Sequence, residues 1–301
     1  MSVSAIITNL ARGSLHDGRG IRTVVYCKGC NLSCRWCHNP ECQSFSRQLV
    51  FYSSKCIGCR RCSAVCPEGH SVFQKGVECS LCGRCAGVCP TAAAAIIGEK
   101  KTPEEVFTEI RKDIAYFRRS GGGVTFSGGE CLLFPEFLSE LLTLCQKAGI
   151  HTTVESAFCV GWDSLEAVYQ KTDSFLIDIK HMDDAVHRNY TGAGNRQILE
   201  NIARLAGLHP DITLRVPLIP TVNDSRENLI ATGKFAASLD SGIRAVELLR
   251  YNPLAGGKYQ VLERTMVKYA DQPQTDEEMS QKCSIVKEAV HNKIPVVYRR
   301  S

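Results

Sequence analysis

No apolar run in this 301-residue sequence approaches the roughly 18 residues that a membrane span needs, so no membrane partner is expected. Met1 through Leu10 lack the charged start and cleavage pattern of an export signal, and a cytoplasmic home follows by default. Lysines and arginines are scattered rather than banked in runs, which gives a nucleic-acid partner no support. No catalytic acid–base pair stands out either. What is left is the composition of a soluble globular chain, 44% hydrophobic and 22% charged, long enough for one large domain plus a small insert. A monomer is expected.

Cysteine is what the chain has in excess, with 17. In a short secreted protein these would imply disulfides. Here the chain is long, shows no export signal and spaces its cysteines closely in series, which favours metal or cluster ligation. The stretch Cys30-Asn31-Leu32-Ser33-Cys34-Arg35-Trp36-Cys37 places three thiols on one loop. Three thiolates hold three corners of a four-iron cube and leave the fourth iron without a protein ligand, whereas an electron-transfer cluster normally takes four. An open corner suits a ligand that must bind iron and react, as open metal sites do in catalysis.

An internal repeat follows. Cys56-x2-Cys59-x2-Cys62-x3-Cys66-Pro67 recurs with the same spacing as Cys79-x2-Cys82-x2-Cys85-x3-Cys89-Pro90. This is the bacterial ferredoxin run, in which the fourth cysteine ligates the other run's cluster. One cube then takes Cys56, Cys59, Cys62 and Cys89, and the other Cys79, Cys82, Cys85 and Cys66. Two zinc sites are the competing reading; zinc seldom uses the third regularly spaced cysteine and the trailing Cys-Pro. The pair of clusters can carry electrons or mainly brace the insert. Three domains result: residues 1–50, the start of a barrel with the cysteine loop; 51–98, a ferredoxin-like insert; and 99–301, the rest of the barrel. Eleven thiolates on three dicationic cubes would lower the formal charge of +5 to near neutral.

Outside the insert the pattern alternates. Residues 1–21 read as a short strand and a loop, with His16-Asp17-Gly18-Arg19-Gly20 as turn chemistry. Residues 21–26, 124–127, 151–155, 174–179, 212–216 and 245–249 read as strands, rich in β-branched residues. Helices are expected at 102–119, opened by the capping box Thr102-Pro103-Glu104-Glu105, and at 135–147, 162–170, 195–206, 226–238 and from about 275. A last strand is expected at 296–298. Six βα units imply an α/β fold with a parallel sheet, a partial (βα)6 barrel rather than a closed one of eight.

In such folds chemistry sits at the C-terminal ends of the strands. Ser127-Gly128-Gly129-Glu130 follows one strand, and its glycines allow close backbone approach to a ligand, or form only a turn. Glu155 ends the next and can take ribose hydroxyls, or be a solvated acid. Asp178-Ile179-Lys180 puts two opposite charges on one face, suited to a zwitterion or to a mutual salt bridge. Arg215 offers a fork-shaped donor to a carboxylate or to ligand charge, or forms an ordinary ion pair.

The cysteine loop, with an aromatic before its last cysteine, resembles that of radical S-adenosylmethionine (SAM) enzymes. Gly20-Ile21-Arg22-Thr23, Lys28-Gly29-Cys30, Cys37-His38-Asn39-Pro40, Ser127-Gly128-Gly129-Glu130, Asp178-Ile179-Lys180-His181-Met182 and Tyr190-Thr191-Gly192 resemble the activating enzymes of glycyl radical enzymes in particular. The double ferredoxin insert is shared by many of them, and the resemblance runs over about residues 5–260. It implies a radical SAM barrel whose Cys30, Cys34 and Cys37 hold a 4Fe-4S cluster, with methionine's amino and carboxylate groups on the open iron. By the same resemblance Trp36, Cys37 and His38 contact adenine, and Gly128, Gly129 and Glu130 the amino group. Glu155 takes the ribose, while Asp178 and Lys180 hold the cofactor's other polar groups; Ile179 and Arg215 are further candidates for the cofactor site. Asn252 stands where relatives often carry a histidine, and Arg19 where they often carry a proline. In some relatives Asp178, Glu155 and nearby carbonyls resemble a monovalent cation site.

The activity so implied is one-electron reductive cleavage of SAM, after which the 5′-deoxyadenosyl radical takes hydrogen from a backbone glycine of a partner glycyl radical enzyme. The two insert clusters are expected to relay electrons from a flavodoxin or ferredoxin. The alternatives are a radical SAM enzyme acting on another protein or a small molecule, and, in another class, a ferredoxin-like electron carrier. No motif selects which glycyl radical enzyme is activated.

Overall fold

The computed structural model describes residues 3–72, 74, 78–239 and 242–298; residues 73 and 75–77 of the expected insert lie outside it. Its centre is a nine-stranded sheet made of β1 (Ala5–Ser14), β2 (Arg22–Cys27), β5 (Glu99–Lys101), β6 (Gly123–Gly128), β7 (His151–Ser156), β8 (Ser174–Asp178), β9 (Ile212–Pro217), β10 (Ile243–Leu249) and β11 (Val296–Tyr298). The order is β11-β10-β9-β8-β7-β6-β2-β1-β5. From β2 through β11 neighbouring strands are parallel, while β1 runs antiparallel to both β2 and β5. The six expected strands are the contiguous run β2 and β6 to β10, so the open (βα)6 sheet is the one read from the sequence. A separate ribbon pairs β3 (Gln48–Phe51) with β4 (Ala94–Ile97).

The helices are α1 (Arg61–Ala64), α2 (Arg84–Gly87), α3 (Pro103–Ile110), α4 (Ile114–Ser120), α5 (Pro135–Lys147), α6 (Trp162–Glu166), α7 (Asp184–Thr191), α8 (Arg196–Ala206), α9 (Arg226–Ser238), α10 (Gly256–Val261) and α11 (Asp276–Ala289). None is long and apolar enough to cross a membrane among the described residues. The two faces of the sheet differ in chemistry. Val124, Phe126, Val154, Phe175, Ile177, Leu214, Val216, Val246 and Leu248 lie in the main apolar core. The alternate residues of the same strands are Thr125, Ser127, Thr153, Glu155, Asp178, Arg215 and Glu247. With period-2 alternation, one face is covered by apolar packing and the concave face is left polar. Arg22 is fully buried on that concave face, donating to Thr125 Oγ1 at 2.7 Å and Thr153 Oγ1 at 2.7 Å.

The structure departs from the sequence reading at three places. The helix expected over 102–119 opens on its capping box but breaks at Arg111–Asp113. There the buried Asp113 carboxylate turns inward and accepts from Thr23 Oγ1 at 2.7 Å and Arg12 Nη1 at 2.5 Å. The helix expected over 162–170 stops as α6 at Glu166, with one 3-10 turn at Tyr169–Lys171. β1 is ten residues long rather than short, and β5, Glu-Lys-Lys, carries the charges that keep an edge strand from pairing further.

Replacing Asp113 by alanine removes the shared acceptor of Arg12 and the buried Thr23. Chemical denaturation is expected to show a loss of about 1–3 kcal/mol with an unchanged m-value. No shift in midpoint would mean that the break in the helix has another cause.

Candidate active site

The cysteine loop has no regular structure, and its backbone polar groups find partners in neighbouring elements. Lys28, fully buried, donates to the Glu41 carbonyl and to Gln48 Oε1. Gly29 N–H bonds Cys42 O at 2.7 Å and Cys30 N–H bonds Gln43 O at 3.2 Å. Ser33 and Arg35 N–H groups reach Thr191 O and Tyr190 O, at 2.7 and 3.0 Å. These carbonyls belong to the last turn of α7, which a helix leaves without internal partners. Gly192 follows with φ of 89°, and a Cβ there would lie 2.5 Å from Ser33 Oγ, so only glycine lets the helix end sit on the loop. From the opposite side Tyr259 of α10 donates to Cys37 O at 3.1 Å. Lys258 spans Asn39 Oδ1 at 2.8 Å and Glu41 Oε1 at 2.6 Å.

Beneath the loop lies a small second core of Leu32, Cys34, Trp36, Ile219, Val222 and Tyr251. Trp36 packs at 5.9 Å from Tyr190 and 6.2 Å from Tyr269 between ring centroids. Its indole braces the loop from inside. The His38 ring hydrogen-bonds the backbone of Asn252. The Asn252 amide itself caps the following 3-10 turn, accepting from Leu254 N–H at 2.9 Å.

Burial pushes the Cys30 thiol up to about 12 and Cys34 to about 11, and raises Cys37 as well. The Leu32 N–H points at Cys30 Sγ (3.4 Å), and Lys180 pulls Cys34 and Cys37 the other way. Buried thiols beside an ammonium and a backbone donor fit an electron-poor metal cluster, which supplies the positive charge that burial withholds. In the insert, Cys56, Cys59, Cys62 and Cys89 line one pocket, backed by Phe51 and Ala94. Backbone N–H groups, first that of Ala94 and then those of Thr91 and Ala93, draw the Cys89 thiol down to about 7. The fourth cysteine of the second run thus joins the first three of the other, the crossing that the ferredoxin spacing calls for. Among the described residues no three such side chains converge on a single ion, and a cube's cysteines are aimed at different irons.

The strand-end residues come together above the polar face, with several roles exchanged. The N–H groups of Gly129 and Glu130 bond Cys27 O (2.9 Å) and Gly29 O (2.8 Å), so this turn is fastened to the base of the cysteine loop. A Cβ on Gly129 would lie 2.2 Å from Gly29 O, which is why glycine stands there. The Glu130 carboxylate points inward. It accepts from Ser156 Oγ (2.8 Å), Leu132 N–H (3.1 Å) and Ala157 N–H (3.1 Å), and burial raises its pKa. Asp178 and Lys180 pair at 2.7 Å. Burial disfavours the Lys180 charge, but Asp178 and the cysteines outweigh it and the ammonium is held above its ordinary value. The Ile179 side chain faces the main core, so only its backbone is open to a ligand.

Arg215 is nearly fully buried and every donor group of its fork is used. Nη1 meets Glu155 Oε1 at 2.6 Å, Nε meets Glu247 Oε2 at 2.8 Å, and Nη2 meets His16 O at 2.6 Å. These contacts are those of the ion-pair alternative, and one N–H on each of Nη1 and Nη2 stays outside them. Glu155 keeps its other oxygen on Ser127 Oγ at 2.7 Å. Glu247, Lys258 and Tyr259 were not legible as site residues, because none ends a strand with a ligand-like pattern; Tyr190 is visible only within a motif and His16 only as part of a turn.

The family model described as the radical SAM superfamily matches residues 24–232. The (2S)-3-sulfopropanediol dehydratase activating enzyme of Klebsiella oxytoca is 40% identical over 273 residues, covering 87% of this chain and 86% of its own. The choline trimethylamine-lyase activating enzyme of Oleidesulfovibrio alaskensis is 38% identical over 269 residues, covering 86% and 87%. The solved structure of a radical SAM methyltransferase from Sphaerobacter thermophilus, 16% identical, shares the fold with a TM-score of 0.52 over 99% of this chain and 77% of that one.

Arg215→Met would leave Glu155 and Glu247 buried without their cation. Unfolding is expected to show a loss of about 3–5 kcal/mol, and the double variant Arg215→Met/Glu247→Gln should recover part of it. A single variant as stable as the parent would show that the pair contributes nothing.

Proposed function

This chain belongs to the radical SAM superfamily, among the activating enzymes of glycyl radical enzymes, and from that premise we propose how its residues divide the work. When bound, a four-iron cluster with SAM on its open corner supplies one-electron reductive cleavage, and the 5′-deoxyadenosyl fragment takes hydrogen from a backbone glycine of the partner enzyme. The observation that carries this reading is three thiols of one tethered loop, Cys34 buried and Cys30 and Cys37 half-buried, set beside the Lys180–Asp178 pair at the polar strand ends.

On that face, Cys30, Cys34 and Cys37 hold the cluster. With the amides of Gly129 and Glu130 already bonded, the carbonyl side of the Gly128-Gly129 turn is what remains for an ammonium group. Glu130 acts through that turn by anchoring it. Glu155 receives ribose hydroxyls and Arg215 positions Glu155. Lys180 and Asp178 neutralise each other at rest and separately suit a carboxylate and a cationic centre. His38 and the backbone of residues 36–38 frame the adenine, while Asn252 supports His38. Asp178 and Glu155 spend one oxygen each on Lys180 and Arg215 and keep lone pairs that, with nearby carbonyls, would suit a monovalent cation.

Residues 51–98 form a ferredoxin-like insert whose cysteines hold two further clusters, relaying electrons from a flavodoxin or ferredoxin. The shared pocket of Cys56, Cys59, Cys62 and Cys89 supports the first of these. We place the protein in the cytosol as a monomer. The relatives named above serve different partner enzymes, so a glycyl radical signal on a candidate partner identifies the right one.

Anaerobic reconstitution is expected to give about twelve irons per chain, with SAM perturbing the spectrum of one cluster. Cys34→Ala should abolish that response and lose about four irons. About eight irons in the parent protein and no response to SAM would refute the assignment. For the relay, Cys82→Ala should slow SAM cleavage driven by reduced flavodoxin, and an unchanged rate would end that part of the scheme.

A further inference from the structure

The two halves of the insert are not equivalent. The β3–β4 ribbon joins the barrel at the Gln48↔Ile97 end, where Gln48 meets Lys28 beside the cysteine loop. α2, in the second cysteine run, packs on β4, and a side chain at Gly83 would touch Ile96 near that inner end. The pocket of Cys56, Cys59, Cys62 and Cys89 lies instead at Phe51 and Ala94, the outer end of the ribbon. Three residue steps separate the ends, about 10 Å at the rise of an antiparallel strand.

Charge follows the same division. Residues 52–67 carry Lys55, Arg60 and Arg61 and no acid, whereas residues 78–90 carry Arg84 against Glu78. Lys55, Ile57, Arg60 and Arg61 are all exposed, and Ile57, Arg60 and Arg61 line the outer cysteine pocket. Ile57 leaves 67% of its surface in water. Among the described residues, no ion pair engages these three cations. An exposed aliphatic residue ringed by cations beside a redox site has the makings of a small, weak, electrostatically steered interface.

We propose that this face receives an acidic one-electron carrier protein of the flavodoxin class, and that the Cys56, Cys59, Cys62 and Cys89 group is where electrons enter. This rests on the relay reading above. In each transfer one electron leaves the flavin hydroquinone, which becomes the semiquinone, and lowers the charge on the outer cluster by one. The inner cluster then passes the electron towards the cysteine loop.

The test measures binding of oxidised flavodoxin to the reconstituted protein by calorimetry across a salt series. Arg60→Glu/Arg61→Glu is expected to raise Kd about tenfold at low salt and to flatten its salt dependence. Lys55→Glu should shift it in the same direction, so the result does not hang on one variant. Iron content near that of the parent shows that the outer cluster is intact. A Kd and salt slope unchanged in both variants would overturn the proposal. Because binding is read without turnover, a failed relay, shown by an indifferent Cys82→Ala, is distinguishable from a failed docking face.

Discussion

A three-cysteine loop without secondary structure, with Cys34 buried and Cys30 and Cys37 half-buried, stands only if its inward backbone polar groups are satisfied from outside. Here they are satisfied from several directions, by the segment of residues 41–43, the last turn of α7, the strand end at Gly129 and the α10 segment. Each of these comes from a different part of the chain, so the loop's shape is a product of the whole barrel. The consequence is rigidity where the chemistry needs it. Thiols that must meet different irons of one cube cannot drift independently, and the surrounding packing of Trp36 against Tyr190 and Tyr269 resists that drift.

The concave face sets a second constraint. Covering one side of a parallel sheet with helices leaves the other to find its own filling. In this chain the filling is polar. Arg22 occupies one end and Arg215 the strand-end region, each with its donors spent on threonines, carboxylates or carbonyls. A buried guanidinium without such partners would cost several kcal/mol, so the density of acceptors is what permits two arginines on one face. Arg215 also ties the His16 turn to β9, which draws the segment before β2 across the mouth.

The architecture was legible because its signals are local. β-branched runs, a capping box and cysteine spacing each need only a few adjacent residues, and the six parallel strands fell where those signals placed them. The break at Asp113 was not legible, since its cause is a pair of side chains about ninety and one hundred residues away. For the site, the sequence located the right strand ends but could not say which charges were already taken. Glu130, Arg215 and Asn252 look alike in sequence whether they face a ligand or the protein. The contacts of Lys258 and Tyr259 with the cysteine loop span more than two hundred residues and leave no local pattern.

The segment between β3 and β4 shows how a cysteine-rich unit can enter a fold without disturbing it. Its ends leave and rejoin through adjacent strands of one ribbon, β3 and β4, so the barrel needs to supply only a narrow footing. That footing falls between the cysteine loop and β5, at Lys28, Gln48 and Gly98. A Cβ on Gly98 would come within 2.8 Å of the Lys28 side chain, so the ribbon and the buried lysine are packed as one piece. Lys28 in turn holds the Glu41 carbonyl, on the far side of the loop. The inserted unit is therefore joined mechanically to the segment that carries Cys30, Cys34 and Cys37, so the two groups of cysteines share one footing rather than hanging on a free linker.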